Sequence, residues 1–433
     1  MLQEAKPTRR TLLGGALAAV SAPLMAQSSA KKRLAMVGTG HRGSGTWGTV
    51  LLSEHADRVQ FVGLCDINRK RAETARRHMG IDAPLYTGLE RMIRETRPET
   101  LIVTTKDGTH HEMIVKALEM GCDVITEKPM ATDERKCQAI LDAENKYGRK
   151  ITVAFNYRYS NTAQKLKELL MAGAIGQVTS VDFHWYLDVS HGADYFRRWH
   201  AYRQNSGTLF IHKASHHFDL INWYLDAEPV RVMAQGALRK YGKNSEMRAK
   251  NCRSCQNRCP FFWDITKDKR LTELYVQCES EDGYFRDACL FRPDIDIFDT
   301  MTAEVRYTNG AMMSYSVNTF MPYEGYHLAF NGTDGRIEVR CYEKQPWESP
   351  AQDEIRVTRN FQKSEILTIP WGTGGHFGGD PRMQRMIFIP GTPDPLRQRA
   401  GSRAGAMSAL TGVAAVKSVD TGKPVMIADL IRL

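Results

Sequence analysis

The 433-residue chain has no run approaching the roughly 18 uncharged apolar residues that a membrane-spanning helix requires. It also lacks any block of five or six like charges, any internal repeat and any low-complexity tract. A helical membrane protein, a solenoid and a charged nucleic-acid-binding tail are thereby excluded. The net charge of +10 is spread over interspersed acids and bases, which suits colloidal stability of a soluble protein better than nucleic-acid contact. What is present is an ordinary globular balance, 42% hydrophobic and 25% charged, over a length suited to two domains with substantial cores.

The first segment stands apart. Arg9-Arg10 precedes a short Gly- and Ala-rich apolar stretch to Val20 and a small-residue exit at Ala26. Residues 1–26 therefore read as a signal peptide of the twin-arginine kind, cut after Ala26. The expected partner is the twin-arginine translocase, with a periplasmic or extracytoplasmic destination and no membrane insertion after cleavage.

A β-type run over residues 33–37 leads into Gly38-Thr39-Gly40-His41-Arg42-Gly43, and a second strand over residues 59–66 ends in Asp66. Strand, glycine spacing and acid together form a dinucleotide-binding fingerprint. The first glycine permits the tight turn, the second admits a pyrophosphate against the backbone, and the third lets helix and strand pack closely. The helix N-terminus then offers free N–H groups to the phosphates. Asp66 favours NAD through the ribose hydroxyls, whereas nearby Arg69 suits a 2′-phosphate, so NAD and NADP both stand. Strands over 100–105, 123–126 and 150–155 alternate with helices over 112–120 and 132–146, the last N-capped by Thr132 or Asp133. That alternation predicts a doubly wound parallel α/β sheet. Ligands sit at the carboxyl ends of such strands, where Thr105, Lys128 and Asn156 fall; His110 and Glu127 complete the candidate cofactor set with His41 and Arg42.

At Glu127-Lys128-Pro129 the pattern becomes specific. Together with the glycine fingerprint, the Asn156-Tyr157-Arg158-Tyr159 run and the His212-x-x-x-His216 pair, the chain resembles the Gfo/Idh/MocA family of glucose-fructose oxidoreductase-like sugar dehydrogenases over nearly all of residues 31–433. The resemblance implies a Rossmann domain, 31–155, followed by an α+β domain, 156–433, built on a large open mixed or antiparallel sheet. A homodimer or homotetramer formed through that sheet is implied by the resemblance alone.

Oxidising a carbinol needs a hydride acceptor, a base for the hydroxyl proton and a charge that steadies the alkoxide. A lysine at a strand end suits the last two roles once burial lowers its pKa. Lys128 is that candidate, and the resemblance assigns it the same role. His216 matches the family's acid/base histidine. Four residues earlier the family has an acid or polar residue, and this chain has His212; Lys213 and Asp219 are the candidate substitutes. The i, i+4 spacing also places His212 and His216 on one helical face, as two metal ligands require. Arg158, Arg198, Trp199, Tyr202, Asp219 and His376 are candidate substrate contacts: aromatic faces stack on sugar rings, Arg and Asp bond to hydroxyls, and His376 lies in the Gly-rich stretch 374–380.

Five of the nine cysteines, Cys252, Cys255, Cys259, Cys278 and Cys289, fall in an insertion over 250–292, placed near the substrate mouth. Two disulfides with one leftover thiol, a structural zinc and an iron–sulfur centre all fit the count. Beyond it, short alternating runs over 299–307, 310–318, 325–331 and 335–341 read as antiparallel strands, and 402–418 as a closing helix. The expected activity is hydride transfer between a tightly held NAD or NADP and a sugar or glycoside hydroxyl. A glycosidase that uses NAD catalytically and a non-catalytic sugar or nucleotide sensor are the alternatives.

Overall fold

β1 (Lys32–Val37) carries four consecutive buried residues, as a strand covered on both faces must. Its neighbours β2 (Val59–Cys65), β3 (Leu85–Tyr86), β4 (Thr100–Val103), β5 (Asp123–Thr126) and β6 (Ile151–Val153) complete a parallel sheet of order β3-β2-β1-β4-β5-β6. This is the predicted doubly wound sheet. The computed structural model describes residues 30–432, so the expected signal peptide lies outside the described residues. The helix that follows β5 runs Glu134–Tyr147, and Asp133 is its cap, accepting the Lys136 N–H.

A second sheet has nine strands: β7 (Val178–Asp188), β8 (Pro229–Ala237), β9 (Thr300–Tyr307), β10 (Met312–Met321), β11 (Glu324–Gly332), β12 (Gly335–Lys344), β13 (Gln352–Arg359), β14 (Glu365–Pro370) and β15 (Val425–Met426). Their order is β14-β13-β12-β11-β7-β10-β9-β8-β15. Every pairing is antiparallel except β7 with β10, so the sheet is mixed. Val181, Phe183, Trp185 and Leu187 of β7 alternate inward and are buried. That inner face is covered by the helices Leu209–His212, Ala214–Leu225 and Ser402–Thr421. The closing helix lies so near the first of these that a Cβ on Gly412 would come within 2.3 Å of the Phe210 carbonyl oxygen.

The insertion is the connection between β8 and β9, and its second half lies against the dinucleotide-binding lobe. Leu271, Leu274 and Tyr275 pack on Ala75 of the helix Arg69–Met79. All nine cysteines are free thiols. Cys252, Cys255, Cys259 and Cys289 line one small cavity, whereas the backbone carbonyl of Cys278 accepts from Asn68 on the other lobe. Among the described residues no three His, Cys, Asp or Glu side chains are placed to hold a metal ion. Among the described residues neither the expected disulfides nor a zinc, iron–sulfur or His212–His216 metal geometry is present.

Candidate active site

β1 turns into its helix through Gly38, whose φ of +87° is a left-handed conformation. A Cβ there would lie 2.6 Å from the Thr104 carbonyl oxygen, and one on Gly43 would lie 2.4 Å from the Gly38 oxygen. The helix Gly43–Val50, continuing as Leu51–His55, starts at this turn. Asp66, at the end of β2, accepts from the Thr39 N–H at 2.8 Å, the Thr39 hydroxyl at 3.0 Å and the Asn68 N–H at 2.9 Å. Loop and acid are thereby fixed to one another. The cradle fits a dinucleotide: backbone around Gly38, Gly40 and Gly43 would hold the phosphates, and Asp66 the ribose. Arg69 pairs with Glu73 instead of facing Asp66, and Arg71 takes that place at 3.6 Å.

At the carboxyl ends of β4 and β5 the catalytic candidates converge. The Lys128 ammonium donates to the His212 carbonyl oxygen at 3.2 Å. Burial lowers its pKa to about 8, with Asp107 and Glu127 opposing the shift and Lys213 and Arg42 adding to it. The His212 Nδ1–H donates to Asp107 Oδ2 at 2.6 Å. His216 is 3% exposed, its Nδ1 has no partner, and its ring stands edge-on to Tyr157 at 4.8 Å. Burial, then Lys128 and Lys213, push His212 and His216 well below the ordinary imidazole value, so both are neutral. The Lys213 ammonium lies over Trp185 at 4.6 Å and Tyr157 at 5.6 Å, and burial lowers its pKa too. His376 stands 6.3 Å from the His216 ring, and Trp199 is 5.9 Å from His212. A neutral imidazole and an amine with a lowered pKa, each within the other's electrostatic reach, are groups that can exchange protons near neutral pH.

Residues 32–155 match the oxidoreductase family with NAD-binding Rossmann fold (GFO_IDH_MocA), and 167–427 match the C-terminal α/β domain of the same family. The chain belongs to the Gfo/Idh/MocA family. It is 38% identical over 409 residues to YteT of Bacillus subtilis (strain 168), covering 88% of this chain and 95% of that one. The inositol 2-dehydrogenase/D-chiro-inositol 3-dehydrogenase of Lactiplantibacillus plantarum is 26% identical over 182 residues, 42% of this chain and 49% of its own. The WlbA dehydrogenase from Bordetella pertussis, solved with NADH and UDP-GlcNAcA, shares the fold at a TM-score of 0.64 and 20% identity, over 93% of this chain and 100% of that one. The aldose-aldose oxidoreductase from Caulobacter crescentus does so at 0.63 and 15%, over 92% and 100%.

As a Gfo/Idh/MocA oxidoreductase the chain is an NAD(P)-dependent enzyme, and several expected contacts take different roles in it. Arg42 pairs with Glu127 at 2.6 Å and with Asp380 at 3.0 Å, so arginine and glutamate brace the glycine-rich loop against residues 379–380 rather than facing a cofactor. Asn156 donates to Asp380 at 2.7 Å and lies 2.9 Å from His376 Nδ1. The two nitrogens of His110 face the carbonyls of Pro129 and Thr105, where the ring braces the turn after Lys128. Thr105 itself accepts from the Thr109 hydroxyl. Arg158 and Asp219 form a buried two-pronged ion pair at 2.7 and 2.6 Å, which removes both from substrate contact. Tyr202 is held at the insertion by Asp294 and Arg292. Arg198 stays near the site and pairs with Asp194 at 3.1 Å.

The residue the sequence reading missed is Asp107. Its carboxylate meets the His212 ring, while the acid expected to orient His216 has no replacement at Nδ1, neither Lys213 nor Asp219 being bonded there. The position of Asp107 just past β4, at a strand end, is the signal that marks it.

Proposed function

We propose that the protein is an exported enzyme that retains its NAD or NADP and oxidises a hydroxyl of a sugar or glycoside. The carrying observation is that buried His216, whose Nδ1 has no partner, lies within the electrostatic reach of the Lys128 amine, itself lowered to about 8. The nicotinamide, when bound, supplies the hydride acceptor. The His216 imidazole takes the hydroxyl proton, and the Lys128 ammonium steadies the alkoxide oxygen as the carbinol hydrogen departs as hydride. Asp107 is a positioning residue: it fixes His212, whose carbonyl directs Lys128. Inositol dehydrogenases among the relatives, and the fold shared with an aldose-aldose oxidoreductase, support a polyhydroxylated substrate. The Arg9-Arg10 pair and the Ala26 exit support twin-arginine export to the periplasm or beyond. Free nicotinamide nucleotide is scarce there, which favours a bound cofactor recycled by a second substrate. Met312 and Ile366, exposed on the nine-stranded sheet, support pairing of two or four copies through its open face.

Natively exported protein is expected to release about one nicotinamide nucleotide per chain on denaturation, read by mass spectrometry, and to show bound NAD(P)H absorbance on adding an aldose or polyol. Aglycone release from aryl glycosides without net reduction would select the glycosidase chemistry instead. A protein that holds no nucleotide and ignores added NAD(P) overturns the reading.

A further inference from the structure

The second half of the cysteine-rich insertion crosses the dinucleotide cradle and brings two donors to it. Tyr275, 8% exposed, accepts the His41 N–H on its hydroxyl oxygen at 2.9 Å, and its own proton has no acceptor among the described residues. A Cβ built on Gly40 would lie 3.0 Å from that hydroxyl, so the tyrosine touches the loop where the backbone admits a pyrophosphate. Arg270 donates to the Ser44 hydroxyl at 3.0 Å, in the first turn of the phosphate-facing helix, and makes no ion pair with a carboxylate among the described residues. Its positive charge, with those of Arg198 and Arg286, joins burial in lowering His41 to about 4. The ground in front of the glycine loop therefore carries excess positive charge. The same segment is fastened beside Asp66: Arg71 donates to the Leu274 carbonyl and pairs with Asp282 at 2.7 Å, and Asn68 donates to the Cys278 carbonyl at 2.9 Å.

We propose that this insertion is a strap that completes the pyrophosphate site, with Tyr275 and Arg270 donating to the phosphates from the side opposite the Gly38–Gly43 loop. The inference rests on the reading that the loop holds a dinucleotide, and it explains how that nucleotide is retained: the phosphates are enclosed between two sets of donors and leave only when the strap lifts. An uncompensated guanidinium and a hydroxyl lacking an acceptor are what a doubly charged anion satisfies.

Full-length wild type, Arg270→Gln and Tyr275→Phe are compared in a chase of bound NAD by excess isotopically labelled NAD, read by mass spectrometry. Each is then stripped of nucleotide and titrated with ADP and with adenosine. Both substitutions retain the packing of Leu271 and Leu274. The expected result is release at least tenfold faster in each variant, with ADP affinity down at least tenfold and adenosine affinity within twofold of wild type. Unchanged release and ADP affinity, with one nucleotide still held per chain, overturn the strap and leave the proposed function standing. Equal weakening of ADP and adenosine overturns the pyrophosphate contact. Wild type that neither carries nor binds nucleotide overturns the strap together with the reading beneath it.

Discussion

An ammonium group taken out of water among other cations sheds its proton more readily, and Lys128 shows this at about 8 against 10.5 for a free lysine. If the charged form steadies the alkoxide, activity falls as pH rises through about 8. His216, held neutral by burial and two lysines, sets an acid limb below the ordinary histidine range. Lys128→Arg, whose guanidinium stays charged, is expected to lose the high-pH limb in a kcat-against-pH profile while turning over more slowly. Lys128→Ala and His216→Ala are expected to keep bound nucleotide and lose on the order of a hundredfold or more in kcat. Full rate in His216→Ala would show that the proton goes elsewhere. Asp107→Asn is expected to lower kcat with little change in KM and to shift the high-pH limb, because the carboxylate acts through His212 and on the Lys128 charge.

Among the elements, the helix Ala214–Leu225 presents His216 toward Tyr157 and Asp219 toward Arg158. The same helix thus divides its polar side chains between chemistry and anchorage. The Arg158–Asp219 pair is buried on both sides, so removing one partner strands a charge, at a cost of about 3–5 kcal/mol. Asp219→Ala is accordingly expected to lower thermal stability steeply in calorimetry. A variant of normal stability with a raised KM would instead return Asp219 to substrate binding. Period-2 alternation places β9 to β12 correctly, yet it says nothing of which strand pairs with which. The parallel pairing of β7 with β10 joins residues more than a hundred positions apart, across helices and the whole insertion, and no hairpin logic reaches that far.

Across the whole molecule, Arg42 ties the glycine-rich loop to Asp380, which lies beyond β14 in sequence and meets Asn156 and His376 in space. Arg42 and His376 hold the Asp380 carboxyl well below its ordinary range. A carboxyl depressed in the folded state stabilises above its unfolded pKa of about 4, and that stabilisation is lost as pH falls below it. Asp380→Asn is expected to cost on the order of 1–3 kcal/mol at pH 7, with the gap to wild type narrowing toward pH 2 in parallel thermal melts. A gap independent of pH would show that the ion pair contributes nothing.

The sequence alone determined the parallel sheet and the glycine turn, because each is written in local spacing, buried runs and a strand-to-helix turn that only glycine allows; it marked Asp66 and Lys128 as candidates at strand ends, and His216 through the family resemblance. Only the tertiary structure decided that Asp107 answers His212, that Arg158 and Asp219 neutralise each other, that Arg42 faces acids, and that the cysteine-rich segment reaches the nucleotide cradle. Each of those is a meeting of side chains from distant stretches, set by packing and by the need of every buried charge for a partner. Neither leaves a trace in local periodicity.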